Sequence, residues 1–236
     1  SIANILNCKS SEIIFTSGGS EANNMILKGV LKKGDHLITT TYEHPSILEL
    51  AKQMSNNGIN VTFIKPNKNG LINTKDIESA IQDNTKLISI MWVNNELGTI
   101  NNIEKIGEIA ENHKILFHSD AVQFIGKKNV DLSNYKINFL SLGAHKFYGP
   151  KGIGILYCKS GNTFTPLIDG GGQENGLRAG TENISLIAGM DTALQIANDN
   201  YQINQQKIQA LENQLINLLE NSNIKYHING NNRLTG

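Results

Sequence analysis

From residue 12 to residue 123 the chain alternates short apolar, β-branched runs with amphipathic stretches, and this rhythm leaves few folds open. Residues 12–16, 36–40, 60–64 and 86–91 read as strands, while the turn at Ser17 leads into a helical stretch through Leu31. Residues 46–54, 74–81 and 103–111 carry helical periodicity between the later strands. The alternation predicts an α/β fold: a mostly parallel sheet flanked by helices on both faces. A strand over 114–123 ends in Ser119, Asp120 and Gln123. Residues 138–142 and 153–157 read as two more strands, joined through Gly149-Pro150. From Glu182 onward two helical sections are expected, with apolar positions at Ile184, Ile187, Ala188, Ile208, Leu211, Leu215, Leu218 and Leu219. That stripe reads as core packing, with a partner-binding face as the second reading. Residues 224–228 are expected to begin a new strand, and residues 1–8 to end a helix already under way. The organisation expected is a large domain over 1–200 and, over 201–236, a linking helix with only the start of a small C-terminal domain.

A chain of 236 residues is long enough to bury a full core. Its 21 basic and 21 acidic residues cancel, and neither sign runs in blocks, which argues against nucleic-acid and anionic-membrane partners. No apolar run approaches the ~20 residues of a membrane span. Ser1-Ile-Ala-Asn4 is not a signal peptide. A soluble, cytoplasmic protein is therefore expected. Cys8 and Cys158 lie far apart and form no CxxC pair, and the six histidines lack metal-ligand spacing, so no metal is expected.

Open α/β sheets gather ligands at the carboxyl ends of their strands, and several polar groups fall there. Ser17-Gly-Gly-Ser-Glu-Ala-Asn-Asn24 joins a strand to a helix, so it is either a plain turn or a phosphate site made by the free N–H groups and dipole of the helix start. It lacks the P-loop and Rossmann glycine patterns. His44 follows one strand, where it is either a loop residue or a residue facing a bound ligand. Asp120 ends another, where it either caps the next turn or, being poorly solvated, needs a partner. Lys146 follows the strand at 138–142. A lysine confined there would be partly desolvated and hence nucleophilic, a candidate for a Schiff base, though a lone lysine at a turn is also an ordinary surface residue.

Taken together, Phe15-Thr-Ser-Gly-Gly-Ser-Glu-Ala-Asn23, Glu43-His44, Val93-Asn-Asn-Glu-Leu-Gly98, Ser119-Asp-Ala-Val-Gln123, Ala144-His-Lys146, Gly149-Pro-Lys-Gly-Ile-Gly154 and Arg178-Ala-Gly-Thr181 resemble the NifS/IscS-type cysteine desulfurases. The resemblance covers nearly the whole chain, with seven motifs in the family's order. It implies the fold type I aminotransferase architecture, pyridoxal 5'-phosphate as cofactor and a homodimer. It also implies conversion of L-cysteine to L-alanine, with the sulfur leaving as a persulfide for a sulfur-acceptor or iron-sulfur scaffold protein. Lys146 matches the lysine that holds the cofactor aldehyde. Asp120 matches the acid opposite the ring nitrogen, and His44 the residue that stacks on the ring and moves protons. Asn95 and Gln123 match groups around the phenolic oxygen. Gly19, Ser20 and His145 match phosphate contacts, and Thr181 resembles a phosphate ligand delivered across the dimer interface. Selenocysteine lyases and related aminotransferases share this set, and a non-catalytic scaffold for sulfur acceptors is a further reading.

Two departures stand out. A phosphate-binding serine is common two residues before the histidine, and here that position is Gly143, with Ser141 displaced by two. The family's nucleophilic cysteine and its carboxylate-binding arginine lie further along than residue 236. The chain is accordingly expected to be an internal portion of a longer protein.

Overall fold

The computed structural model describes residues 1–234. A short helix α1 (Ile2–Ile5) precedes β1 (Ile13–Thr16), followed by α2 (Gly19–Val30), β2 (His36–Thr40), α3 (Pro45–Asn56), β3 (Asn60–Ile64), α4 (Thr74–Ser79) and β4 (Thr85–Ser89). Then come α5 (Ile103–Asn112), β5 (Leu116–Asp120), β6 (Phe139–Gly143), β7 (Gly154–Cys158) and α6 (Ile184–Glu220). The seven strands form one sheet in the order β1-β7-β6-β5-β4-β2-β3. Only β7 runs against its neighbours. Residues 144–153 are fewer than the dozen or so a parallel crossover requires, so the chain has to return antiparallel.

Consecutive residues of the central strands enter opposite sides of the core. Leu37, Leu87, Phe139 and Leu156 pack with Met25, Ile26 and Leu27 of α2 and Ile47 and Ala51 of α3. Ile38, Ile88, Leu140 and Ile155 pack with Ile103 and Ile106 of α5 and Met190 and Leu194 of α6. A sheet buried on both faces explains why its strands read as continuous apolar runs. At the head of β7, a Cβ on Gly154 would stand 2.5 Å from the Leu142 carbonyl oxygen and 2.6 Å from Gly18 Cα. Glycine there allows the strand to press against the turn that starts α2.

The carboxyl-terminal part departs from expectation. One unbroken 37-residue helix, α6, replaces the two helical sections. Its buried residues, Met190, Leu194 and Ala197, lie off the expected stripe, of which Ile187 alone packs against the core in the first half; Ile184 is 77% exposed, Ala188 is exposed, and Leu211, Leu215 and Leu218 are 63%, 58% and 63% exposed, so the stripe is not core packing. Beyond Ala197 the helix continues for ~34 Å at 1.5 Å per residue, and its second half has run past the sheet. Residues 224–228 form no strand, because no neighbouring strand offers them hydrogen bonds. The backbone pairs only further on, as an isolated bridge between Arg233 and Thr99, beside an Arg233–Glu212 ion pair. Among the described residues no helix is long and apolar enough to cross a membrane.

Candidate active site

The carboxyl ends of β1, β5 and β6 and the start of α2 enclose a cleft of about 600 Å³. Of the residues expected to act, Gly19, Ser20, His44, Asn95, Asp120, Gln123, His145 and Lys146 line it. Gly143 lies directly beneath, where a Cβ would be 3.4 Å from the His145 ring and 3.6 Å from the Gly19 nitrogen. Thr181 is elsewhere. It is exposed and lines a separate recess of about 220 Å³ with Arg178, Glu174 and Asn183.

Asp120 closes β5 and is 5% exposed. Burial pushes its carboxyl above the usual range, against the pull of hydrogen bonds from Asn23 and the Val122 N–H and of nearby His44. Asn23 Nδ2 donates to Asp120 Oδ2 at 2.8 Å and to Ser46 Oγ at 2.9 Å. Because Ser46 Oγ accepts from Asn23, its own proton is available to His44 Nδ1, 2.8 Å away, which also accepts from the Ser46 N–H at 3.2 Å. An Nδ1 that accepts twice assigns the neutral ring's proton to Nε2. The ring is held further because His44 is the N-cap of α3, with Pro45 at the first helical position. Asn23 and Ser46 were not singled out from sequence. The signal available was that Asn23 lies one helical turn after Gly19-Ser20, on the face that those residues present.

Beside this network Glu43 is buried, with Oε1 accepting from Thr40 Oγ1 at 2.7 Å and from the Met91 N–H at 3.0 Å. Burial raises its carboxyl to about 8, so it is largely protonated at neutral pH, and Oε2 has no partner.

Lys146 corrects one expectation. The strand stops at Gly143, and residues Ala144–Phe147 form a 3-10 turn that lifts His145 and Lys146 off the sheet edge. Both side chains are exposed at the mouth of the cleft instead of being confined and partly desolvated. His145 is held below the usual histidine range, first by burial and then by Lys146, Lys151 and His44. Asn95, also exposed, donates to Glu96 Oε1 at 2.8 Å, and Gln123 Oε1 accepts from Lys127 Nζ at 3.2 Å. Ser141 offers no substitute for the serine missing at 143. It is buried within β6, and its hydroxyl pairs with His118 Nε2 at 2.9 Å, while His118 Nδ1 pairs with Ser89 Oγ at 2.9 Å. A residue two positions back on a strand points to the same face but ~6.6 Å short of the edge.

The fold and this cleft place the molecule among α/β proteins that set a lysine, a buried acid and a histidine around a helix start at the carboxyl edge of the sheet. The class-V aminotransferase family model matches residues 1–234, and the chain belongs to that family. Within it, the chain is 44% identical over 233 residues to the cysteine desulfurase IscS of Clostridium botulinum, covering 97% of this chain and 59% of that one. It is 43% identical over 235 residues to the IscS of Histophilus somni, covering 97% and 58%. Among solved structures it superposes on a NifS-like protein with a TM-score of 0.90 at 38% identity, over 93% of this chain and 62% of the other. DndA from Streptomyces lividans gives 0.91 at 30% identity, over 99% and 68%. SspA, solved in complex with cysteine, gives 0.79 at 45% identity, over 82% and 58%. The chain thus spans about three-fifths of the length of the IscS proteins it matches.

Proposed function

We propose that this chain is the cofactor-binding part of a cysteine desulfurase that uses pyridoxal 5'-phosphate to convert L-cysteine to L-alanine, the sulfur leaving as a persulfide for an acceptor such as an iron-sulfur scaffold protein. One observation carries the reading. The cleft holds a buried carboxylate whose hydrogen bonds, among the described residues, come from neutral donors, Asn23 and the Val122 N–H, and an exposed lysine lines the same cleft. A buried acid in that state lacks a cation, and a protonated ring nitrogen would supply one. The start of α2 provides N–H groups with no intrahelical partner for a phosphate.

Lys146 would hold the cofactor aldehyde, Asp120 the ring nitrogen, His44 the ring face, and Gly19, Ser20 and His145 the phosphate. Asn95 and Gln123 would serve the phenolic oxygen. When bound, the cofactor supplies an electron sink for breaking substrate bonds. The chain's own residues do the rest. Asn23 keeps Asp120 oriented, and Ser46 keeps the His44 proton on Nε2, the ring nitrogen left free to give or take one. Thr181, removed from its own cleft, is suited to the phosphate of a second copy in a homodimer. Borohydride reduction of the full-length protein with pyridoxal 5'-phosphate, followed by peptide mapping, is expected to label Lys146. A label on Lys151 would reassign the site.

The glycine at 143 leaves room for improvement of the phosphate cup. Its backbone is extended, at φ −139° and ψ 125°, and no neighbour would lie within 3.4 Å of an added Cβ. Gly143→Ser is therefore expected to fold normally and to present a hydroxyl beside the Gly19 N–H. One more hydrogen bond to a charged group should tighten cofactor binding about ten-fold. Unchanged affinity in a spectrophotometric titration would count against the phosphate lying over Gly19.

A further inference from the structure

Glu21 stands in the first turn of α2, in the wall of the cleft and within the turn assigned to the cofactor phosphate. A bare carboxylate there would repel a phosphate dianion. Glu21 is only 10% exposed, so water screens it poorly. Burial alone would raise its carboxyl, yet hydrogen bonds from Arg178 and Ser17 and the Arg178 charge hold it below the usual range, so it is ionised at neutral pH. Arg178 Nε donates to Glu21 Oε1 at 2.9 Å and Nη2 to Oε2 at 3.4 Å, while the Ser17 N–H donates to Oε2 at 2.6 Å. The guanidinium comes from the Gly-rich segment that carries Thr181, and it also faces Glu174. This two-pronged pair is the partition between the cleft and the Thr181 recess.

We infer that Arg178 is a positioning residue for the phosphate cup: by neutralising Glu21 it keeps the start of α2 attractive to an anion, and by the same contact it pins the Thr181 segment to the cup wall. The inference rests on the phosphate site proposed above but not on the aldehyde chemistry at Lys146. It is tested on the full-length protein by calorimetric titration with inorganic phosphate and, separately, with pyridoxal 5'-phosphate. Arg178→Gln is expected to weaken both about ten-fold, as one uncompensated like charge within a Debye length would, and to weaken them less at high salt. Glu21→Gln alone should bind phosphate at least as tightly as the parent, and Glu21→Gln combined with Arg178→Gln should restore parental affinity. A double variant as weak as Arg178→Gln would overturn the inference, since the loss would then be structural. So would parental affinity in Arg178→Gln, or weakened phosphate binding in Glu21→Gln, which keeps the fold independent of the arginine variant. Phosphate binding that follows this pattern while Lys146 escapes borohydride labelling would leave the inference standing and reject the cofactor reading.

Discussion

Asp120→Asn in the full-length protein is expected to lower alanine formation from L-cysteine by about 10²- to 10³-fold, corresponding to about 3–4 kcal/mol, with bound cofactor remaining near one per chain. The substitution keeps the side chain's shape, and the new amide oxygen can still accept the Val122 N–H that now bonds Oδ1. The new NH₂ meets the Asn23 NH₂, and the Asn23 amide has to turn its unpartnered Oδ1 inward, which exchanges its donation to Ser46 for an acceptance from it. The fold and the phosphate contacts should therefore survive. What disappears is the negative charge buried at the end of β5, which on the proposed function would hold the cofactor's ring nitrogen protonated. Cofactor content and turnover separate the two effects. Near-parental turnover would remove Asp120 from the electron-sink role, whereas loss of cofactor would make it an anchor instead.

The sequence was most legible where the physics is local. β2 and β3 have the bounds that β-branched runs between turn residues imply, and Asp120 was found because an acid closing an apolar strand is conspicuous. Lys146 was placed at the correct edge but in the wrong environment. Nothing in Ala-His-Lys-Phe distinguishes a strand end from a 3-10 turn, and the distinction depends on Gly149 closing back onto the Ala144 carbonyl at 2.9 Å. Asn23 and Glu21 were less visible still, since they act through partners 97 and 157 residues away, and Ser46, though two residues from His44, is tied to the site by Asn23, 23 residues away. The Arg178–Glu21 pair joins positions 157 residues apart, and only the fold makes them neighbours. The second half of α6 was misread for the converse reason: an apolar periodicity predicts a face to be covered, and sequence does not say by what.

The remaining large effect concerns sulfur. Cys8→Ala and Cys158→Ala, made singly in the full-length protein, are expected to leave persulfide and sulfide formation from L-cysteine within about two-fold of the parent. The residues 1–236 loaded with cofactor are expected to form no persulfide at all. Sulfur abstraction needs an exposed thiolate at the substrate, and nucleophilicity follows the ionised fraction. Burial, reinforced by Glu12, pushes both thiols up to about 11, which leaves on the order of one thiolate in ten thousand at neutral pH. Position excludes them as well. Gly154, at the cleft end of β7, pairs with Gly143, while Cys158 at the other end pairs with Phe139. Four residues of strand set Cys158 ~13 Å below the cleft edge. Cys8 precedes β1, whose first residue Ile13 pairs with Tyr157, so it lies at that same remote end of the sheet. On the proposed activity the nucleophile is therefore expected outside these residues, and this chain spans only about three-fifths of the relatives' length. Mass spectrometry after incubation with L-cysteine decides the matter: a persulfide on Cys8 or Cys158 at the turnover rate, abolished by alanine at that position, would place the sulfur acceptor thiol within this chain.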